Sequence, residues 1–143
     1  MNRRTLLQFT GAVLAASAVS TAAAAEHDHH NHGAGHASLV TAAAACVARG
    51  EICLDHCLSS LASGDTSLKG CAQSVNEMLA VCGALRSVAA QNARSLGAIA
   101  RIAHDVCLRC EEECRKHEKK HTQCRDCAEA CAACAKECKA VMA

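Results

Sequence analysis

The chain has 143 residues, a formal charge of +1, 13 Cys, no Pro, no Trp, no Tyr and a single Phe, Phe9. That length allows one domain at most, and the lack of a basic patch interleaved with aromatics argues against nucleic acid as a partner. A core with almost no aromatic side chains must be built from Ala, Leu, Val, Ile, Met and Cys, so bound metal would add to its folding free energy.

Residues 1–25 read as an export signal. Asn2-Arg3-Arg4-Thr5-Leu6-Leu7 supplies a charged start, a moderately apolar stretch runs from Phe9 to Val19, and Ala23-Ala24-Ala25 offers a cleavage site before Glu26. The paired arginines resemble a twin-arginine signal, the route for proteins already folded, with an ordinary secretory signal as the alternative. Such a chain is expected in the periplasm or cell envelope. The apolar run is short and rich in Ala, Ser and Thr for a permanent anchor, and no other segment is expected to span a bilayer. Stable membrane insertion is therefore not expected. Without Arg3 and Arg4 the balance is 13 basic to 14 acidic residues.

Residues 26–37 form a polar, His-rich stretch carrying His27, His29, His30, His32 and His36, expected to be a mobile tail. The domain proper is 38–143. Its first helix is expected from Ser38, as N-cap, to Ala62, ending at Ser63-Gly64. Asp65 or Thr66 caps a second that reaches about Gln91. A third covers about Ala93 to His117 and a fourth about Thr122 to Val141. Ala, Leu, Glu, Lys and Arg abound, and strand alternation is not visible. Short connections imply antiparallel neighbours, hence an all-α, up-down-up-down four-helix bundle.

The cysteines fall on that frame with one periodicity. Cys46, Cys53 and Cys57 are spaced by seven and four residues, as are Cys71, Met78 and Cys82. Cys107, Cys110 and Cys114 form the stripe of the third helix; Cys124, Cys127, Cys131, Cys134 and Cys138 form that of the fourth. Steps of three and four return each thiol to one helix face. All thirteen cysteines therefore line the interior, where a bundle would ordinarily place Leu. Glu112, Arg115, Lys119, Arg125, Glu129 and Lys136 lie opposite and read as a solvated exterior.

One or two buried Cys would be ordinary small hydrophobes, but thirteen are not explained that way. A disulfide scaffold is the other bland account. Thirteen is odd, and thiols three or four apart on one helix are badly oriented for bridging. Export would normally oxidise such a chain. Folding before export, with the thiols enclosed, removes the conflict.

Thiolates select soft metals: Cu(I), Zn(II) or iron–sulfur clusters. Zinc calls for closed tetrahedra. The Cys127, Cys131, Cys134 spacing matches a cluster motif, but that motif normally sits on a loop, and the ferredoxin Cys-Pro ending is absent. Cu(I) accepts two or three thiolates, so neighbours at i and i+4, or across facing helices, suffice. A rail of thiols then holds multiple ions. A zinc or mixed soft-metal buffer of metallothionein type is the alternative.

The pattern C-x2-C-x3-C-x6-H-x2-C-x2-C-x3-C-x2-C-x3-C, from Cys107 through His121 to Cys138, stands behind two helices with sparser Cys and a twin-arginine leader. In this the chain resembles the exported copper storage proteins. The resemblance implies a cysteine-filled four-helix bundle binding many Cu(I) ions, association as a homotetramer, and a thiolate role for all thirteen cysteines. It also implies entry at one open end. His36 resembles the entry histidine, although the Met residues some relatives place early in the first helix are replaced by Val40 and Val47. His104, one turn before Cys107, is an auxiliary candidate near the same end, with Met142.

Met78, on the thiol stripe, is either a thioether ligand or core packing. His117 and His121 lie at the opposite end and read as structural, with His117 also suited to the negative terminus of the third helix. His56 reads as a boundary residue. The implied purpose is storage or detoxification, or supply of copper to an exported cuproenzyme or chaperone. Enzymatic function is not expected. Catalytic Cys-x-x-Cys pairs are solitary and exposed at a helix start on a βαβ sheet, and no Ser-His-Asp arrangement or phosphate loop is present.

Overall fold

The computed structural model describes residues 36–142. The segment read as an export signal and most of the His-rich stretch, with the expectations attached to them, lie outside the described residues. Four α-helices account for the fold: α1 (Ala37–Ala62), α2 (Lys69–Ala90), α3 (Leu96–Arg115) and α4 (Thr122–Lys139), with a 3-10 turn at Thr66–Leu68 before α2. No strand occurs among the described residues. Each helix packs on its neighbours in sequence, and α4 returns to α1, closing an antiparallel up-down-up-down bundle.

The turns follow from local chemistry. At the end of α1, Gly64 adopts φ +93°. Its N–H donates to the Leu61 carbonyl, and the Asp65 N–H to that of Ser60, both at 3.0 Å. This is the paired hydrogen bonding that satisfies the last carbonyls of a helix and needs a left-handed residue. The Asp65 carboxylate then accepts from the Ser67 N–H at 2.9 Å, capping the 3-10 turn. At the end of α2 the pattern recurs with Asn92 at φ +48°. Asn92 donates to Ala89 and Ala93 to Val88; Asn is among the few side chains that tolerate this conformation.

Three expectations are corrected. The N-cap of α1 is His36 rather than Ser38, without a side-chain capping bond. The turn centred on Asn92 delays α3 until Leu96. By length and mean hydropathy, 1.5 over 18 residues, α1 is also long and apolar enough to cross a membrane, contrary to the expectation for segments beyond the leader. Its Cys46, Cys53, Cys57 stripe is buried in the bundle.

The interior has two zones. Leu39 and Ala43 of α1, Leu85 and Ala89 of α2, and Leu96, Ala100 and Ala103 of α3 are buried at one end. The thiols dominate the remainder, packed with Leu68, Val75, Met78 and Val106, and at the far end they come close to the helix termini: Cys114 lies in the last turn of α3, while Cys71 and Cys124 lie in the first turns of α2 and α4. No charged or polar residue is fully buried among the described residues. Charges pair outside instead, as in Arg109 with Glu77 and Arg115 with Glu111, both at 2.9 Å. Glu112, Arg115, Lys119, Arg125, Glu129 and Lys136 are all exposed, as their spacing predicts.

Candidate metal centre

All thirteen cysteines are fully buried and carry free thiols. Helical spacing explains each stripe, and antiparallel packing brings the stripes together. Cys82 and Cys107 join α2 to α3 with sulfurs 3.4 Å apart. Cys71 and Cys114 do the same at 3.5 Å. Cys46 and Cys131 join α1 to α4 at 3.6 Å, and Cys53 and Cys124 at 3.9 Å. These separations are well beyond a disulfide bond. Metal–sulfur bonds of about 2.3 Å place the sulfurs of a trigonal or tetrahedral site roughly 4 Å apart. The interior thus holds its thiols near metal-ligand spacing.

Four sets of sulfurs lie within 4.8 Å of one another: Cys46, Cys82, Cys107 and Cys134; Cys53, Cys57, Cys71 and Cys124; Cys53, Cys114 and Cys127; and Cys110, Cys127 and Cys131. Two sets of four satisfy a tetrahedral metal, but the two sets of three lack a fourth ligand. Those match an ion content with three soft donors, as Cu(I) is. Cys53 and Cys127 each belong to two sets, so the last three sets form a continuous chain, whereas the first shares no member with them. Cys138 stands outside all four.

Crowding sets the protonation of the thiols. Cys131 is held above the ordinary thiol range, chiefly by Cys107 and then Cys110, with burial in the same direction. Cys114 is raised by Cys110 foremost, then Cys127. Three thiols are lowered because neighbours donate to them: Cys57 by Cys124 first, Cys127 by Cys110 first and Cys134 by Cys107 first. Burial pushes every one of these thiols upward, and hydrogen bonds received from neighbouring thiols oppose it at the three lowered ones.

The other site candidates divide between the two ends. His36 Nε2 lies 3.1 Å from Asn92 Oδ1, tying the start of α1 to the α2–α3 turn. Arg101 donates to the Met142 carbonyl at 2.6 Å, placing Met142 at the same end. His104 Nδ1 pairs with Asp105 at 3.1 Å, and its Nε2 is buried without a hydrogen-bond partner. Neither His36 nor His104 belongs to a thiol set. At the opposite end His56 Nε2 and His121 Nδ1 are 2.9 Å apart across α1 and α4, with His117 beyond them. The sequence places His117 and His121 at this end and leaves His56 a boundary residue; the His56–His121 contact depends on the alignment of two helices. Met78 is fully buried with Sδ 3.3 Å from Cys46 Sγ.

A four-helix bundle whose core is a column of closely spaced thiols defines a soft-metal-binding protein. The family model described as Csp, copper storage protein, matches residues 32–143, and the chain belongs to that family. Among solved structures it is similar to the Cu(I)-bound copper storage protein BsCsp3, at 28% identity and a TM-score of 0.68, covering 73% of this chain and 95% of that one. It is also similar to apo copper storage protein 3 from Bacillus subtilis, at 26% identity and a TM-score of 0.65, covering 74% and 97%. A third similar structure is the copper storage protein Ccsp from Streptomyces lividans loaded with 10 copper equivalents, at 28% identity and a TM-score of 0.66, covering 73% and 80%. No match is found among curated proteins.

Proposed function

We propose that this chain stores Cu(I) at high capacity, with all thirteen cysteines as thiolate ligands. The observation that carries the reading is the burial of every thiol and the gathering of all but Cys138 into sets at metal-ligand spacing, two of them offering three sulfurs only. Burial excludes competing oxygen donors and water, and the shared residues Cys53 and Cys127 let adjacent ions use common ligands. A bundle of this kind has no need to rearrange in order to fill.

Copper passes into the interior at the His36 and His104 end, where the unpartnered His104 Nε2 offers a buried soft-metal donor. A second reading places entry at the opposite end, because there the thiols come close to the helix termini and His56 and His121 meet above them. Export ahead of use, to the periplasm or cell envelope, rests on the Arg3-Arg4 leader. Exposed Ile52 and Leu58 on α1 and Ile102 and Leu108 on α3 support self-association, for which a tetramer is the expected state. An exported cuproenzyme or copper chaperone would be the recipient.

The decisive experiment is anaerobic titration of the reduced protein with Cu(I) against a competing chelator, followed by metal analysis. Tight uptake approaching one ion per cysteine is the expected result. Saturation at three or four ions, with zinc competing successfully, would replace this reading with a zinc-type buffer.

A further inference from the structure

The sets of sulfurs divide at one level of the thiol column. The set formed by Cys46, Cys82, Cys107 and Cys134 shares no residue with the three sets chained through Cys53 and Cys127. Across this division Cys46 comes within 3.6 Å of Cys131. The same Cys46 sulfur is touched by the Met78 thioether at 3.3 Å. We propose that Met78 is a Cu(I) ligand at this junction, acting with Cys46 and Cys131 as a relay between two groups of thiols. The proposal rests on the copper-storage reading and adds to it a path inside the store.

Room for this side chain is built into α1. Gly50 occupies the buried stripe between Cys46 and Cys53, where a glycine weakens the helix relative to alanine. A Cβ there would lie 2.4 Å from Met78 Cε and 2.8 Å from Leu79 Cδ2. The missing side chain of Gly50 therefore vacates the space that the Met78 methyl fills, and Met78 Sδ reaches Cys46.

The chemistry of a thioether suits a relay better than a store. It is a soft donor without a proton to lose or a charge to balance. It therefore holds Cu(I) without the proton release that each thiol requires, and more weakly than a thiolate does. An ion leaving the first set keeps its bond to Cys46 while Met78 occupies the vacated position. Cys131 then binds as its proton departs, and the thiolate that let go takes up a proton. Charge is conserved through the exchange, and no redox step is involved.

Met78→Leu nearly conserves volume and removes the sulfur donor, so the fold is retained. The full chain is labelled with selenomethionine, loaded with Cu(I) in steps, and measured by X-ray absorption at the selenium edge beside the labelled Met78→Leu variant. The difference isolates position 78 from Met1 and Met142. The expected result is selenium–copper scattering that disappears in the variant, with filling slowed several-fold at nearly unchanged capacity. No such difference at any loading overturns the ligand. A scattering difference with superimposable filling curves overturns the relay. A chain that takes up no Cu(I) at all overturns the storage reading itself.

Discussion

Cys53 of α1 lies 4.0 Å from Cys71 of α2 and 3.9 Å from Cys124 of α4, and it also belongs to the set with Cys114 and Cys127. Membership of two sets makes the thiols unequal. Cys53→Ala and Cys127→Ala are expected to lower copper capacity most, Cys131→Ala and Cys134→Ala slightly, and Cys138→Ala least. Each variant should keep its fold, losing about 1–2 kcal/mol of apo stability to a small cavity. Metal analysis after Cu(I) saturation checks the order. A single change that abolished all binding would replace distributed sites with one cooperative cluster.

His36 is bonded to Asn92 at the bundle end and touches no thiol set. Its replacement by Ala is therefore expected to slow copper uptake several-fold while leaving final capacity unchanged. Stopped-flow uptake of chelated Cu(I) by His36→Ala and His121→Ala separates the two ends. Slowing confined to His121→Ala would move the entry to the His56–His121 end.

What the sequence made legible was periodic. Steps of three, four and seven place every cysteine on an inward face whatever the exact helix boundaries, so the bundle and its thiol interior follow from spacing alone. What it hid depends on how one helix slides against another. The contact of Cys46 with Met78, the space left by Gly50 and the His56–His121 pair all require the register between helices. So does the division of the thiols into sets. The delayed start of α3 was hidden differently, in the left-handed turn at Asn92, which competes with helix extension after Gln91.

Protonation gives a pH dependence with a definite sign. Nine thiols, including Cys46, Cys82, Cys107, Cys114 and Cys131, are raised above 9.0, the ordinary thiol value. In the unfolded chain these groups lose protons near that value, whereas the fold retains them. Their contribution to stability is complete below 9.0 and is lost as pH rises above it. The lowered thiols Cys57, Cys127 and Cys134 act in the opposite sense: their contribution is complete above 9.0 and declines as pH falls below it. The apo protein's Tm should therefore fall from about pH 9 upward. Thermal denaturation under reducing, anaerobic conditions checks this, and an apo Tm that rises over the same range would contradict it.

Copper loading should stabilise the bundle in proportion to occupancy. The core replaces large aliphatic side chains with small thiols, so the apo fold buries little apolar bulk beyond Leu39, Leu68, Val75, Met78, Leu85, Leu96 and Val106. Each ion joins sulfurs from different helices, as in the set Cys46, Cys82, Cys107 and Cys134, which draws on all four. Ligand bound only by the folded state stabilises by about 2.7 kcal/mol when free ligand is 100 times its Kd. Tm should rise stepwise with added Cu(I) and return to the apo value on removal by a strong chelator. Because the metal-bound thiolates are already deprotonated, the loaded protein should also lose the alkaline destabilisation of the apo form. Calorimetry at several copper ratios and two pH values tests both effects together. A Tm independent of loading would mean that the ions sit outside the bundle interior.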